Sequence, residues 1–305
     1  MSPIANSSGV DVMSLSPLVF AEDRHDTLWG FERWLVSAHA AAPSVVAEGP
    51  FAGRRFDELV ATFGAALAGT RAQGRFPLLF KDISARQRLS VQVHPSEATA
   101  PLTGGEPKTE AWRILAAEPD AAIWLGVRPG ISRDDLAGAV AQNRVADALI
   151  RQYVQVGEIY YIPAGLVHCL GDGVRVFEVQ QSSDTTYRLY DWDRKDAAGR
   201  SRPLQVREAL MAADPTLQTR RTEDEMACPF FRMRARELVA AADFPADPET
   251  FRVLFAETGG IAVESDAGRH VVTEGNAILL PAVVAARVTP LAASARLLLV
   301  SLDDR

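Results

Sequence analysis

The stretch VGEIYYIPAGLVH, residues 156–168, combines a Gly-Glu turn, a short apolar run and a rigid Pro-Ala turn that leads into a histidine. A similar order returns at 272–282, where the chain reads VTEGNAILLPA. Glycine and proline are typical of turns, and short apolar runs between turns are typical of strands. The repeated order therefore predicts two copies of one β-barrel, of which only the first continues into a histidine, His168.

Short apolar runs also dominate the rest of the chain, and each is typical of a strand. Those after residue 230 are separated by turn residues at short intervals, which indicates a small sandwich or barrel. The predicted strands lie at 15–20, 34–37, 77–83, 89–93, 112–115, 122–127, 159–162, 174–180 and 185–190, with seven more between 231 and 302.

Apolar residues at helical spacing predict helices at 56–67 and 204–213 and a longer helical stretch at 132–153. Ser132 and Asp135 have the spacing of a capping box, which marks where the longer stretch begins. The polar pair at 143–144 interrupts its apolar stripe, so we expect two short helices in this region.

The composition argues against several classes of function. The 305 residues carry a net charge of −7 without a dense basic cluster, which disfavours nucleic acid as a partner. No apolar run approaches a membrane span, and the polar, serine-rich start does not resemble a secretory signal. Cys169 and Cys228 do not form a CxxC pair, so we expect no disulfide framework and a cytoplasmic location.

Four side chains suited to metal binding lie in three separate segments. Gln92 and His94 are two residues apart at the end of a predicted strand, so both point to the same face. Glu110 and His168 belong to other strands and join them only if the fold brings the segments together. Imidazole, carboxylate and amide ligands together suit a first-row metal, in particular zinc. A histidine by itself is more often structural, so spacing alone leaves both interpretations open.

A second polar group suggests an anion near the histidine strands. Arg188 lies in the alternating strand YRLY, where it either pairs with a carboxylate such as Asp184 or Asp191 or faces a bound anion. Lysines are usually solvated, so each of the other cationic candidates is weak by itself. The further candidate contacts are Lys81, Ser90 and Lys108.

Four segments, in this order, resemble the type I mannose-6-phosphate isomerases (phosphomannose isomerases) of the short bacterial form. They are LSVQVHP at 89–95, KTEAW at 108–112, IPAGLVH at 162–168 and QQSSDTTYRLYD at 180–191. The resemblance runs from about residue 15 to about residue 207 and weakens afterwards. Four motifs in one order are specific, whereas any one of them alone is not.

This resemblance implies a mainly β fold of two cupin (jelly-roll) barrels with helical insertions. It implies a disordered N-terminal tail at 1–14 and a metal-binding catalytic cupin domain at 15–203, with a helical insertion at about 131–153. A helical connector at 204–224 and a second cupin-like domain without metal ligands at 225–305 complete the predicted organisation.

The resemblance also implies a site for one Zn²⁺ per chain, held by Gln92, His94, Glu110 and His168. The positions of Arg188 and Lys108 match catalytic positions of the family, and those of Ser90 and Lys81 match positions that bind the substrate and its phosphate. The implied reaction interconverts mannose 6-phosphate and fructose 6-phosphate through a cis-enediol intermediate. The enzyme would act on a small hexose phosphate as a monomer or homodimer, and the residue that removes the C2 proton stays open.

Two other functions fit the same residues. An Fe(II) cupin oxygenase would use a similar ligand set, although such sites usually need two or three histidines and open positions for O₂. A non-catalytic sugar-phosphate-binding cupin would keep the pocket without turnover. The complete ligand set, together with Arg188, argues against this second alternative.

Overall fold

A computed structural model describes residues 15–302 of the chain. Contacts divide these residues into two compact units. The first, the metal-site unit, comprises 23–34 and 78–226, and the second, the C-terminal unit, comprises 15–22, 35–77 and 227–302. The predicted tail at 1–14 lies outside the described residues.

Strands make up most of the regular structure. In chain order they are β1 (Arg24–Thr27), β2 (Gly30–Ser37), β3 (Leu78–Ala85), β4 (Val91–Val93), β5 (Glu110–Ala117), β6 (Ala122–Val127), β7 (Leu149–Tyr153), β8 (Ile159–Ile162), β9 (His168–Cys169), β10 (Val174–Gln181), β11 (Tyr187–Tyr190), β12 (Arg220–Thr222), β13 (Glu225–Ala227), β14 (Arg232–Leu238), β15 (Ala242–Phe244), β16 (Arg252–Thr258), β17 (Ile261–Ser265), β18 (Gly268–Val272), β19 (Ala277–Leu280), β20 (Ala286–Pro290) and β21 (Ala295–Ser301).

The helices are short. They are α1 (Phe56–Phe63), α2 (Ala65–Ala68), α3 (Ala100–Thr103), α4 (Arg133–Ala141) and α5 (Val206–Ala212), with 3-10 turns at 70–72 and 145–148. Among residues 15–302, none of the helices has both the length and the apolar character that a membrane crossing needs.

Two antiparallel sheets form the metal-site unit. One has seven strands in the order β1-β2-β3-β10-β5-β8-β12, and the other has five in the order β11-β4-β9-β6-β7. Their inner faces share one core, in which Ile123 and Leu125 of β6 join Ile114 of β5 and Val176 of β10. This two-sheet arrangement is the jelly-roll barrel that the resemblance predicted.

The five-stranded sheet is apolar on both faces, because helices cover its outer side. Side chains that alternate with the inner ones, among them Val91, Val93 and Cys169, form a second cluster with Leu136 of α4 and Ala209 of α5. Successive side chains of a strand point to opposite faces. The residues between these outward-facing ones, such as Gln92 and His168, therefore point into the barrel.

The C-terminal unit contains a second pair of sheets, ordered β13-β14-β21-β16-β19 and β15-β20-β17-β18. Its core is apolar and includes Leu254, Val263, Ile278 and Leu297. In this unit β19 occupies the same place in the repeated sequence pattern as β8 does in the other. The prediction of a mainly β fold with two cupin barrels is confirmed.

Most predicted elements are present, but two predictions are wrong. The helical stretch expected at 132–153 is broken at 143–144 as predicted, into α4 and the 3-10 turn at 145–148, but residues 149–153 form β7, which pairs antiparallel with β6. Asn143, with φ of 55°, adopts a left-handed conformation that stops the helix, and pairing with β6 then overrides helical spacing. The strand expected at 15–20 is reduced to isolated bridges at Leu18 and Phe20. The capping box of Ser132 and Asp135 is confirmed.

The division into units also differs from the predicted linear order. Residues 35–77 group with the C-terminal unit by their contacts, rather than with the segments that hold the histidines. The predicted connector at 204–224 contains α5 and β12. The functional boundaries proposed at 203 and 224 stay predictions.

The close approach of Gly171, which follows β9, to strand β6 predicts a measurable cost of substitution. A Cβ added at Gly171 would lie 1.7 Å from the carbonyl oxygen of Ala122. We expect Gly171→Ala to lower the free energy of unfolding by about 3 kcal/mol, at the upper end of overpacking costs, in urea denaturation. Gly138→Ala is the control, since a Cβ there meets nothing within 4 Å and an alanine in α4 should stabilise by up to ~1 kcal/mol. A Gly171→Ala protein as stable as the wild type would contradict the packing.

Candidate metal and anion site

Strand pairing brings the three segments with metal-ligand candidates together. Gln92 of β4 lies directly opposite His168 of β9 in the five-stranded sheet. Glu110 begins β5 in the other sheet, and His94 follows β4 by one residue. Because Gln92 and His168 point into the barrel, they face the strand that carries Glu110. The prediction that these segments converge is therefore confirmed as geometry.

The distances within the cluster are short. Nε2 of His94 lies 3.4 Å from Oε2 of Glu110, and Nε2 of His168 lies 3.6 Å from Oε1 of Glu110. The potential ligand atoms of these three residues all lie within 4.8 Å of one another. Each of the three side chains is no more than 1% exposed. An ion of zinc size, with bonds of about 2 Å, fits such a spacing.

Hydrogen bonds to backbone oxygens orient both imidazoles. Nδ1 of His94 lies 2.9 Å from the carbonyl oxygen of Thr185, and Nδ1 of His168 lies 2.9 Å from that of Leu166. A carbonyl can only accept, so each Nδ1 carries the proton and each Nε2 has a free lone pair directed at Glu110. Metal-binding histidines are typically oriented in this way.

Electrostatics keep the cluster in the protonation state that binds a metal. Burial, reinforced by the Lys108 ammonium, lowers the pKa of His94 to about 3, and burial also lowers the pKa of His168. Burial alone would raise the pKa of Glu110, but Lys108 and the two histidines hold it well below its usual range. Neutral imidazoles and an ionised carboxylate are the forms that ligate.

The surroundings of the Glu110 carboxylate show whether these residues can hold a metal ion. Both of its oxygens are buried and accept no well-aligned hydrogen bond from any residue in the described range 15–302. A buried carboxylate is costly unless cations satisfy it. The Lys108 ammonium, 2.9 Å from Oε2, supplies one, and a metal ion would satisfy Oε1 as well. The residues present therefore fit a metal ion bound by His94, Glu110 and His168.

Gln92, the fourth candidate ligand, lies beside these three residues. Its Oε1 accepts a hydrogen bond from Oγ of Ser90 at 3.3 Å, and its Nε2 lies 3.3 Å from Nε2 of His168. Rotating the amide by 180° would exchange the oxygen and nitrogen positions and place Oε1 beside His168. Gln92 is thus positioned at the cluster, and its role as a ligand stays a prediction.

Lys108 contacts two residues of the cluster, Glu110 and His94. Its Nζ lies 2.9 Å from Oε2 of Glu110 and 3.2 Å from Nε2 of His94. Burial would lower the pKa of Lys108, but the carboxylates of Glu110 and Glu178 outweigh this effect and raise it. The side chain is therefore held as an ammonium group at the boundary between the cluster and the adjoining pocket.

A pocket of about 210 Å³ opens beside the cluster, and all five of the predicted residues outside the buried triad line it. A pocket of this size suits a small ligand. The predicted lining residues are Lys81, Ser90, Gln92, Lys108 and Arg188. Asp184, named from the sequence as a candidate partner of Arg188, also lines it. The lining residues that the sequence did not single out include Trp29, Glu32, Trp112, Glu178 and Arg202.

Arg188 faces this pocket without an ion pair to Asp191. That carboxylate is taken by Arg194, at 2.7 Å, and by Arg202, at 2.5 Å. Burial and repulsion from Arg202 lower the pKa of Arg188, and the charges of Asp191 and Asp184 partly offset them. The Nε of Arg188 is buried and has no hydrogen-bond partner among residues 15–302. Of the two alternatives for Arg188, the geometry favours the one in which it faces an anion.

Lys81 is tied to an acidic partner on a neighbouring strand. Its Nζ lies 3.2 Å from Oε2 of Glu32 and 4.4 Å from the ring centre of Trp34. Burial would raise the pKa of Glu32, but Lys81 holds it below its usual range, so the carboxylate of Glu32 is ionised. The lysine is thereby fixed at the pocket wall.

Glu178 was missed because it lies in the apolar strand VRVFEVQQ, where a buried glutamate gives no spacing signal. Its Oε2 accepts a hydrogen bond from Nε1 of Trp112 at 2.7 Å. Burial and the nearby charge of Glu110 raise the pKa of Glu178 to about 7. A carboxyl group in this range can exchange a proton near neutral pH.

Fold and site together define a cupin barrel with a buried two-histidine, one-carboxylate cluster beside a cationic pocket. Residues 25–112 match the family described as phosphomannose isomerase type I, catalytic domain. The mannose-6-phosphate isomerase ManA of Bacillus subtilis is 35% identical over 229 residues, which cover 69% of this chain and 72% of that protein. The chain belongs to the type I mannose-6-phosphate isomerase family, an enzyme family.

Further comparisons agree with this assignment. Mannose-6-phosphate isomerase of Streptococcus mutans is 37% identical, and the alignment covers 64% of this chain and 66% of that protein, slightly less than two thirds of its length. The crystal structure of mannose 6-phosphate isomerase from Bacillus subtilis superposes with a TM-score of 0.80 at 26% identity, over 94% of this chain and 99% of that one. A mannose 6-phosphate isomerase structure described as zinc bound shares the fold, with a TM-score of 0.73 at 15% identity, over 95% of this chain and 100% of that one.

The hydrogen bond between Trp112 and Glu178 predicts a measurable cost. Trp112→Phe keeps a ring but removes the donor, which leaves the buried carboxylate less satisfied. We expect a loss of about 1–3 kcal/mol in the free energy of unfolding, measured in urea. Trp124→Phe is the matched control, because no hydrogen bond of its indole is found within residues 15–302 and it is also buried. Equal losses in the two variants would contradict the role of this bond.

Proposed function

We propose that this protein is a zinc-dependent aldose-ketose isomerase that interconverts mannose 6-phosphate and fructose 6-phosphate. The relatives that it matches at 35–37% identity carry the name mannose-6-phosphate isomerase. The observation that carries the proposal is the junction of a buried metal-type cluster with a small pocket lined by lysines and arginines. A sugar phosphate needs both features, the first for its reacting carbonyl and the second for its charge.

We propose that His94, Glu110 and His168 hold one Zn²⁺ per chain, with Gln92 as a fourth ligand. A bound Zn²⁺ supplies Lewis acidity that stabilises negative charge on substrate oxygen atoms. The hydrogen bonds to Thr185 and Leu166 keep the imidazoles aimed at the cluster. Burial excludes water from the same region, which strengthens electrostatic interactions there.

The phosphate would lie among the cations of the pocket. Ser90 and Lys81 were predicted from the sequence as its contacts, and both line the pocket. Arg188 has a buried Nε with no hydrogen-bond partner among the described residues, and Arg202 stands beside it. Arg202 bonds to Asp191 through Nε and Nη2, and its positive charge and Nη1 remain for the pocket, so we add Arg202 to the proposed phosphate contacts.

Isomerisation moves a proton between C2 and C1 through a cis-enediol. Glu178 is the pocket carboxyl best suited to that transfer, because burial raises its pKa to about 7 and its Oε1 has no hydrogen-bond partner within residues 15–302. Lys108 is held as an ammonium by two carboxylates, so it would donate to a developing oxyanion rather than remove a proton. Arg188 would add a second positive charge to the same region.

A coupled assay tests the proposal directly. Conversion of mannose 6-phosphate would be followed through glucose-6-phosphate isomerase and glucose-6-phosphate dehydrogenase, with and without prior removal of metal by a chelator. We expect turnover that the chelator abolishes and that Zn²⁺ restores. Oxygen consumption with iron, without isomerisation, would instead favour an oxygenase. Binding of mannose 6-phosphate without turnover after zinc is restored would favour the non-catalytic alternative.

Two substitutions separate metal retention from catalysis. His168→Ala removes a proposed ligand, so zinc content measured by mass spectrometry and activity should fall together. Arg188→Ala should retain about one zinc per chain while kcat/KM falls on the order of 10²-fold, as for loss of one stabilising charge. His25→Ala is the control, because that exposed histidine, which contacts Asp23 and the Trp34 ring, is not among the lining or ligand residues of the site and should leave both quantities unchanged. If His168→Ala kept full zinc and full turnover, the site assignment would fail.

A further inference from the structure

A second pocket, of about 240 Å³, lies in the metal-site unit beside the segment that leads into β4. It shares no lining residue with the pocket proposed to hold the sugar phosphate. Its walls combine three arginines with an indole and a single carboxylate. The lining residues are Arg86, Gln87, Arg88, Asp172, Trp192 and Arg194.

The side chains that line this pocket carry more positive than negative charge. Only Asp172 offers a negative charge, and it lies 3.6 Å from Nε of Arg88 in a largely exposed pair. The side chain of Arg86 is exposed and has no hydrogen bond or ion pair within residues 15–302. The chain as a whole carries a net charge of −7. A pocket lined by three guanidinium groups is therefore a local exception to the acidic charge of the protein.

Arg194 adds donors that are fixed and unused. Its Nη2 donates to Oδ1 of Asp191 at 2.7 Å, and the side chain is 11% exposed. Its Nε and Nη1 are buried and have no hydrogen-bond partner among the described residues. Donors left in this state cost free energy, which an anion in the pocket would recover. Arg194 lines this second pocket and not the first.

The indole of Trp192 gives the pocket a rigid wall. The guanidinium carbon of Arg88 lies 4.3 Å from the centre of the Trp192 ring, and Nε1 of Trp192 donates to the carbonyl oxygen of Leu89 at 2.6 Å. Trp192 and Asp193 both have positive φ, of 58° and 51°. Non-glycine residues adopt such a conformation at a cost, and the hydrogen bond to Leu89 helps to hold it.

We propose that this pocket, formed by Arg86, Arg88, Trp192 and Arg194, is a second anion site that binds a small phosphorylated metabolite separately from the substrate. Three guanidinium groups around a concave space of this size suit a phosphate monoester, whose oxygens accept paired N–H donors. The site does not depend on the proposed isomerase activity. It is linked to the catalytic pocket through Leu89, whose carbonyl oxygen anchors Trp192 and which lines the first pocket. A second link is Asp191, which pairs with Arg194 of this pocket and with Arg202 of the first.

Isothermal titration calorimetry of the zinc-loaded, full-length protein with inorganic phosphate at low ionic strength tests the proposal. We expect two binding events in the wild type, since the catalytic pocket also takes phosphate. Arg86→Gln/Arg88→Gln should weaken one event by about tenfold or more and leave the other unchanged, because two charged donors are lost. Arg207→Gln/Arg236→Gln is the matched control, as it removes two exposed arginines outside the pocket.

Asp172→Asn provides a second test that a folding defect cannot imitate. Removing the only carboxylate of the pocket should tighten the same binding event by about threefold to tenfold, because it eliminates repulsion and frees Arg88. The proposal is overturned if the wild type binds no phosphate. It is also overturned if the Arg86→Gln/Arg88→Gln protein matches the control, or if Asp172→Asn leaves both affinities unchanged. These binding measurements would keep their meaning even if the coupled assay detected no isomerase activity.

Discussion

The buried carboxylate of Glu110 is the constraint to which the rest of the metal-site unit responds. It is fully shielded from water, and neither oxygen accepts a well-aligned hydrogen bond from the described residues. A charge in that position must be balanced by cations. Lys108 and Nε2 of His94 lie against Oε2, and Nε2 of His168 lies against Oε1. The raised pKa of Lys108 and the raised pKa of Glu178 both follow in part from this buried charge, whereas burial keeps the imidazoles neutral against it.

The two-sheet architecture makes this arrangement possible. On β4 and β9, alternate side chains point outward into an apolar layer covered by α4 and α5, which anchors the strands. The side chains between them point inward, where β5 of the other sheet supplies Glu110. The C-terminal unit uses the same alternation to build an apolar core, and its strand β19 leads into valines rather than a histidine. A jelly roll can thus carry either a polar cluster or a plain core at the same strand positions.

Some parts of the site could be predicted from the chain and others could not. Gln92 and His94 were predictable as a pair, because residues two apart on a strand share a face. Arg188 was noticeable because a charged residue interrupts an apolar alternation. Glu178 and Arg202 gave no such signal, since one lies in a mostly apolar strand and the other in a loop whose position depends on the pairing of Arg202 with Asp191. The strand β7 was predicted as a helix because local apolar spacing cannot register the partner strand β6.

The sequence by itself determined the strand-rich character, the repeated turn-strand-turn pattern, and the residue types suited to a metal and an anion. These properties depend on local periodicity and side-chain chemistry, which are written directly in the order of residues. Only the tertiary structure decided that Glu110 faces the two histidines, that Asp191 pairs with Arg194 and Arg202 rather than Arg188, and that Arg194 lines a second pocket. Those outcomes depend on strand register and sheet packing, which join residues separated by up to about a hundred positions and are set by the burial of the whole core.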